Sequence, residues 1–368
     1  MENLLNNFDS LCFDKNLILI KNKIVSSERL NLSDAKNIMT TSDINSLGVL
    51  ASAKKEEMHG KKVYFVVNRH INPTNVCSIS CKFCAFGKPK GHKDAYEMSM
   101  DKILSLVSNE LKEIHIVGGL HPDWEFEKYL EIIREVSKNA PDAHIKAFTA
   151  VEIDWFSRIS GKKVSEVISS LIDAGVDALP GGGAEIFSPE VRKKICTPKT
   201  TGDSWLEVHR EAHAQGLPSN ATMLYGHLES IDDVIDHINK LRILQDDTNG
   251  FFAFIPVLFQ PYNTRLKNIK PFPFSYDLKV HALARLYLDN FPYIKAYWIT
   301  LGEKAAQVAL HYGVSDADGT IMSEKIIHDA GAKSEIGHTR NFFVKMIKDA
   351  GYLPVERDAL YNELNIYE

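Results

Sequence analysis

From Lys62 onward, short apolar runs alternate with amphipathic stretches eight times, and this alternation constrains the fold more than any other feature. The pattern predicts strands at Val63–Val67, Ile114–Val117, Ile145–Thr149, Asp177–Leu179, Ser219–Leu224, Phe251–Pro256, Ile294–Thr300 and Gly319–Met322. Helices are predicted between them, near 101–112, 126–139, 164–174, 203–215, 231–245, 277–290, 303–312 and 323–330. Eight strand–helix units with short connections specify an α/β fold of the (β/α)8 barrel type rather than an open sheet. Residues 1–60 read as a helical extension: Leu4, Leu5, Phe8 and Leu11 recur at three- and four-residue steps. Ser33 and Asp34 open a second helix there, and Thr41–Asp43 cap a third beginning near Ile44. The expected division is extension 1–60, barrel 61–335, and a C-terminal helix (Thr339–Ala350) and tail in 336–368 that pack on the barrel.

In such barrels function gathers where strands end and loops begin. The stretch after the first strand, NVCSISCKFCAFGKPK, places Cys77, Cys81 and Cys84 in a C-x3-C-x2-C spacing. Three thiolates on one short loop suit three irons of a cubane cluster, whose full protein ligation takes four cysteines. No fourth lies nearby, so one iron stays open for a ligand that is not protein. A structural zinc is the plainer alternative; His70 or His92 would complete a Cys3His set, but no second ligand pair follows. Cys12 and Cys196 stand alone and read as small buried hydrophobes.

The next strand ends carry further polar or glycine-rich words. Gly118-Gly119-Leu120-His121 follows strand two, and its glycines would bring backbone amides close to a ligand. Glu152 ends strand three. Gly181–Gly183 and Glu185 follow strand four without the Lys-Ser/Thr ending of a nucleoside triphosphate loop. Tyr225, Gly226, His227 and Glu229 follow strand five. His121, Asn220, Tyr225, His227, Asn263, Thr264 and Arg265 all fall at predicted strand ends and form the pocket candidates, His121 and Arg265 first among them. A lone histidine or arginine at such a place is more often structural than catalytic.

A net charge of −5 over 368 residues leaves no domain-wide basic footprint for nucleic acid. The longest apolar run, Phe251–Phe259, contains Pro256 and is far too short for a membrane span. The opening residues MENLLNNFDS lack the basic-then-apolar order of a secretory signal, so a cytoplasmic chain with reduced thiols is expected. Lys82, Lys88, Lys90, His92 and Lys93 nevertheless make the cysteine loop locally basic, which suits steering of an acidic electron donor.

The cysteine spacing, with Phe83 before the third cysteine, resembles the radical S-adenosylmethionine (radical SAM) superfamily. That resemblance implies a [4Fe-4S] cluster whose open iron binds the amino and carboxylate groups of SAM. It implies contacts to SAM from Phe83, Gly118, Gly119, Glu152 and Glu185, and a cation for its carboxylate among Arg192, Lys199 and Arg210. The segment from Thr222 through Met223 to Glu229 is similar to the superfamily's G-x-I-x-G-x-x-E adenine support, with Thr222 and Leu224 as departures. Longer words (CKFCAFG, GGLHPD, HIKAFTAVEI, LPGGGAEIF, FIPVLFQPYNT and IKAYWITLG) resemble the aminofutalosine synthases of the futalosine route to menaquinone over roughly residues 60–360. The related futalosine cyclases and FO synthases, which keep the cluster, and a zinc-stabilised binding module are the alternatives. The synthase resemblance implies that a 5′-deoxyadenosyl radical adds through C5′ to 3-[(1-carboxyvinyl)oxy]benzoate, followed by aryl migration and loss of a carboxyl group. It also implies SAM consumed as co-substrate, and flavodoxin or ferredoxin as electron donor.

Overall fold

The structure is a computed structural model and describes residues 5–368. Its first barrel strand is broken into two halves, β1 (Lys62–Val66) and β2 (Asn68–Ile71). The others are β3 (Glu113–Ile116), β4 (His144–Ala147), β5 (Ser219–Tyr225), β6 (Phe251–Leu258), β7 (Tyr293–Ile294) and β8 (Asp316–Gly319). Parallel pairing runs β2–β3–β4 and β5–β6–β7, with His70 opposite His115, His115 opposite Lys146 and Thr222 opposite Ile255. Bridges Lys146–Ala178 and Leu179–Ser219 insert a short strand at 178–179 between β4 and β5. Lys295–Asp316, Tyr64–Asp316 and Arg69–Met322 join β7 to β8 and β8 to both halves of the first strand, closing the ring. The fold is an eight-stranded parallel (β/α)8 barrel.

Most outer helices begin and end close to where periodicity places them: Phe126–Asn139, Val164–Ala174, Gly202–Ala214, Ile231–Thr248 and Phe274–Tyr287. Other boundaries differ for local reasons. The helix expected over 101–112 stops at Leu104, because Ser108 and Asn109 turn the chain, with Leu111 N donating to Ser108 O. Strand seven is cut short where Trp298 starts a helical turn (Trp298–Leu301), buries its indole and donates Nε1–H to Gly319 O at 2.9 Å. The eighth strand begins earlier than expected, because two carboxylates that read as loop, Asp316 and Asp318, are buried and paired with cations. Glu152 does not end a strand. Thr149 caps a helix, Ala150–Ser160, and Glu152 completes its capping box from the first turn.

The N-terminal helices Lys15–Val25, Leu32–Thr40 and Ile44–His59 cover the barrel's flank, the last two against helix Phe274–Tyr287. The second opens at Asn31 rather than Ser33, since the Asn31 side chain accepts from Ser33 N and Asp34 N. Arg29 fastens the extension by donating to both Asp246 and Asp289. Among the described residues no helix is long and apolar enough to cross a membrane.

After helix Arg340–Asp349 the chain forms two further strands, β9 (Leu353–Arg357) and β10 (Glu363–Ile366). β9 runs parallel to β1, and β10 antiparallel to β9. The first barrel strand thus changes neighbour midway: its lower half pairs with β9 and its upper half with β3. This places Arg357, fully buried, beneath the barrel axis, 2.7 Å from Asp316 and 3.8 Å from Glu113. Removing one partner of a buried pair leaves the other charge uncompensated, so Arg357→Ala is expected to destabilise the chain by about 3–5 kcal/mol. Chemical denaturation checks this; a loss below about 1 kcal/mol, the level of an exposed pair, would mean that Asp316 does not depend on the tail.

Candidate active site

The cysteine loop is stitched to the barrel mouth at several points. Cys77 N donates to Lys88 O at 2.8 Å, and Ser78 N to Leu120 O after strand two at 2.8 Å. Lys82 N donates to Ile195 O after strand four, and Lys82 O accepts from Arg265 N after strand six. The Arg265 guanidinium also donates to the Ser80 hydroxyl at 2.9 Å. Gly119 is what lets the loop lie this close: a Cβ there would stand 2.2 Å from Val76 O. The glycine pair thus serves backbone packing against residues 74–76, and Gly118 N is already engaged by Glu152 Oε1 at 2.9 Å.

All five cysteines are free thiols; Cys12 and Cys196 are buried, and Cys77, Cys81 and Cys84 line the mouth of one cavity of about 480 Å³. Burial pushes the Cys81 thiol up to about 12 and raises Cys84 as well. Sulfurs in such a setting become thiolates when a metal takes them. Among the described residues no three His, Cys, Asp or Glu side chains converge on one ion position. A structural zinc needs four ligands closed around one ion, whereas in a cubane each thiolate takes its own iron. His92, one proposed zinc ligand, is exposed 3.7 Å from Asp94, and the other, His70, packs against His115. The three cysteines therefore fit a [4Fe-4S] cluster with one iron left open.

Next to the cysteines, Lys199 and Glu185 form a largely buried ion pair, and the Lys199 ammonium lies 5.3 Å from the centre of the Phe83 ring. The carboxylate beside it raises Lys199 and keeps it charged against the cost of burial. Gly181 lets this segment press on strand β5, where a Cβ would come within 2.7 Å of the Ala221 carbonyl carbon. Phe83, Gly118, Gly119, Glu152, Glu185 and Lys199 all line the cavity, as do Asn220, Asn263 and Arg265. Burial pushes Glu152 up to about 7, although it accepts from Gly118 N, Thr149 N and the Thr149 hydroxyl.

Other candidates are placed elsewhere. Arg192 is buried but spends its guanidinium on the carbonyls of Ala184, Ile186 and Thr200, fixing the segment that carries Glu185. Arg210 sits on an outer helix facing Asp247 at 3.2 Å. On β5 the side chains alternate: Asn220, Thr222 and Leu224 face the cavity, whereas Met223 and Tyr225 are buried on the other face. The Tyr225 ring lies 6.2 Å from that of Tyr276 on helix Phe274–Tyr287. His227 and Glu229 close the turn after β5, His227 facing Leu224 O and Glu229 accepting from the amides of Gly226 and His227. His121 stacks on Trp124 and lies 3.1 Å from Glu97, outside the cavity lining. Thr264 donates to Pro261 O within its own turn.

Sequence reasoning missed the cavity floor. His70, Glu113, His115, Lys146, Lys295 and Asp318 point inward from five strands. The available signal was polar residues at alternate positions inside short apolar strands, as in Glu113-Ile114-His115-Ile116. A Gly119→Ala chain is expected to keep its fold yet hold several-fold less iron and sulfide after anaerobic reconstitution, because the loop cannot close over the new methyl group. Full cluster content in that variant would contradict this account of the glycine.

The radical SAM superfamily model matches residues 71–241, and the CofH/MqnC C-terminal region model matches 248–368. The chain is 44% identical over 363 residues to the aminodeoxyfutalosine synthase of Thermus thermophilus, covering 96% of this chain and 98% of the relative. It is 40% identical to the 5-amino-6-(D-ribitylamino)uracil–L-tyrosine 4-hydroxyphenyl transferase of Methanopyrus kandleri, covering 84% and 86%. The solved structure of methylornithine synthase superposes with a TM-score of 0.71 at 16% identity, covering 91% of this chain and 97% of that one, a likeness of fold. With its cysteines at the mouth of a closed barrel, and with matches that span both regions, the chain belongs to the radical SAM superfamily, in the group that joins a radical SAM region to a CofH/MqnC C-terminal region, the latter here including the last three barrel strands.

Proposed function

We propose that this chain carries out the aminodeoxyfutalosine synthase reaction. The supporting observation is one continuous cavity running from the three cysteines to a polar floor, in a chain related along nearly its whole length to such a synthase. The substrates are SAM and 3-[(1-carboxyvinyl)oxy]benzoate. The products are 6-amino-6-deoxyfutalosine, methionine and carbon dioxide or bicarbonate.

When bound, the cluster supplies the electron that splits the sulfonium of SAM. The protein contributes position and electrostatics. Cys77, Cys81 and Cys84 hold the cluster. Lys199 presents a cation beside Phe83, and Glu185 an acceptor for hydroxyl groups, both fixed by their mutual pairing. Val117, Leu224, Ile255 and Val257 form an apolar wall that excludes water from the region between mouth and floor. Holding two reactants aligned in such a space removes much of the entropic barrier to joining them. Arg265, tied to Ser80 on the cysteine loop, offers a cation at the mouth to one substrate carboxylate.

The exposed lysines of the cysteine loop support an acidic one-electron donor of the flavodoxin or ferredoxin kind, and free thiols suit the cytosol. Lys90 is only loosely committed, in an exposed pair with Asp123.

Anaerobic turnover of the reconstituted chain with SAM, reductant and the enolpyruvyl ether is expected to yield the adenosyl adduct by mass analysis. Stoichiometric 5′-deoxyadenosine instead, or product from L-tyrosine and 5-amino-6-(D-ribitylamino)uracil, would refute the assignment. Changing Lys82, Lys90 and Lys93, all exposed and outside the cavity lining, together to glutamate is expected to slow flavodoxin-supported turnover at least about ten-fold and flatten its salt dependence. Dithionite-supported turnover should stay near the wild-type rate.

A further inference from the structure

The cavity floor carries as many cations as carboxylates. Lys146 lies 2.7 Å from Glu113, Lys295 lies 3.2 Å from Asp318, and Arg357 lies 2.7 Å from Asp316. Directly beside them β2 and β3 hold His70 and His115 together, His115 Nδ1 being 3.2 Å from His70 Nε2 and the ring centres 4.4 Å apart. Both imidazoles line the cavity, and so does Asn220, whose Oδ1 is buried without a partner. One shared proton satisfies the contact between the two rings, and His115 Nε2 is left buried and unpartnered. The nearest further carboxylate, Glu324, is engaged by His328 at 3.0 Å and by the Ile327 amide.

We infer that the His70–His115 pair is the proton-accepting part of a carboxylate subsite, taking up one proton from solvent as a carboxylate of the aromatic substrate enters the lumen. The inference rests on the reaction proposed above. A floor whose charges already cancel has no cation free for an incoming anion, and a buried anion without a countercharge is strongly disfavoured. A proton on the imidazole pair restores the balance.

Burial holds both imidazoles below the usual histidine range, so the empty pair is neutral near pH 7. Around His70, Glu324, Asp318 and Glu113 push upward and Lys295 downward; around His115, His70, Lys146 and Lys295 push downward and Glu113 upward. A substrate carboxylate alongside raises the pair. Between the free and bound titration midpoints the complex therefore holds one proton more than its components. Affinity falls as pH rises through the bound-state midpoint, by up to about ten-fold per pH unit.

Anaerobic calorimetry of the cluster-reconstituted chain with 3-[(1-carboxyvinyl)oxy]benzoate, in phosphate and in Tris at pH 7, measures the proton count. The expected result is uptake approaching one proton per ether bound. In His70→Asn and His115→Asn chains the buffer dependence should vanish and Kd should rise at least about ten-fold, with iron and sulfide content unchanged. Ether binding by the wild-type chain without buffer dependence overturns the inference and leaves the proposed reaction standing. Absence of ether binding by the SAM-loaded wild-type chain overturns both.

Discussion

The buried charge network beneath the barrel axis is the constraint that ties this structure together. Glu113, Lys146, Lys295, Asp316, Asp318 and Arg357 come from β3, β4, β7, β8 and β9, elements far apart in the chain. Each of these charges is costly to desolvate, and each is tolerable only because its partner arrives from another strand. The network therefore demands a closed ring. It also demands the C-terminal tail, since Arg357 is the cation that answers Asp316.

Mouth and floor are built on opposite principles. At the mouth the work is done by backbone: Gly119 admits the cysteine loop, a Cys77–Lys88 bond closes the loop on itself, and main-chain bonds of Ser78 and Lys82 tie it to segments that follow three strands. Burial around Cys81 and Cys84 disfavours bare thiolates. At the floor, side chains carry the load, through the ion pairs Lys146–Glu113, Lys295–Asp318 and Arg357–Asp316. Between them the cavity is lined by the apolar side chains Val117, Leu224, Ile255 and Val257.

Much of the fold was legible in the chain itself. Helices such as Phe126–Asn139 and Val164–Ala174 announce themselves because one face is apolar at helical spacing, a local property. The cysteine loop and the glycine words stood out because three cysteines in eight residues and runs of glycine are not core composition, whereas Lys199 was one of three cations among which the sequence did not choose. Met223, Tyr225, His121, His227 and Glu229 stand at or near strand ends yet lie outside the cavity lining, and Arg192 and Arg210 lie on helices. Position at a strand end does not say which way a side chain points. On β5 a single step separates Asn220 and Thr222, which face the lumen, from Met223 and Tyr225, which do not. Glu152 lies on the cavity, but as part of a helix cap rather than a strand end.

The sequence by itself determined the alternation of elements, the barrel class, the metal-binding loop and the kinship to radical SAM enzymes, because periodicity and ligand spacing are written within short stretches. Tertiary structure alone decided the rest. It turned Asp316 and Asp318 from loop residues into strand, placed Arg357 under the axis, and brought His70 against His115. Such pairings depend on contacts between residues up to hundreds of positions apart. A charged residue looks solvent-exposed in sequence until the fold supplies the partner that makes its burial tolerable.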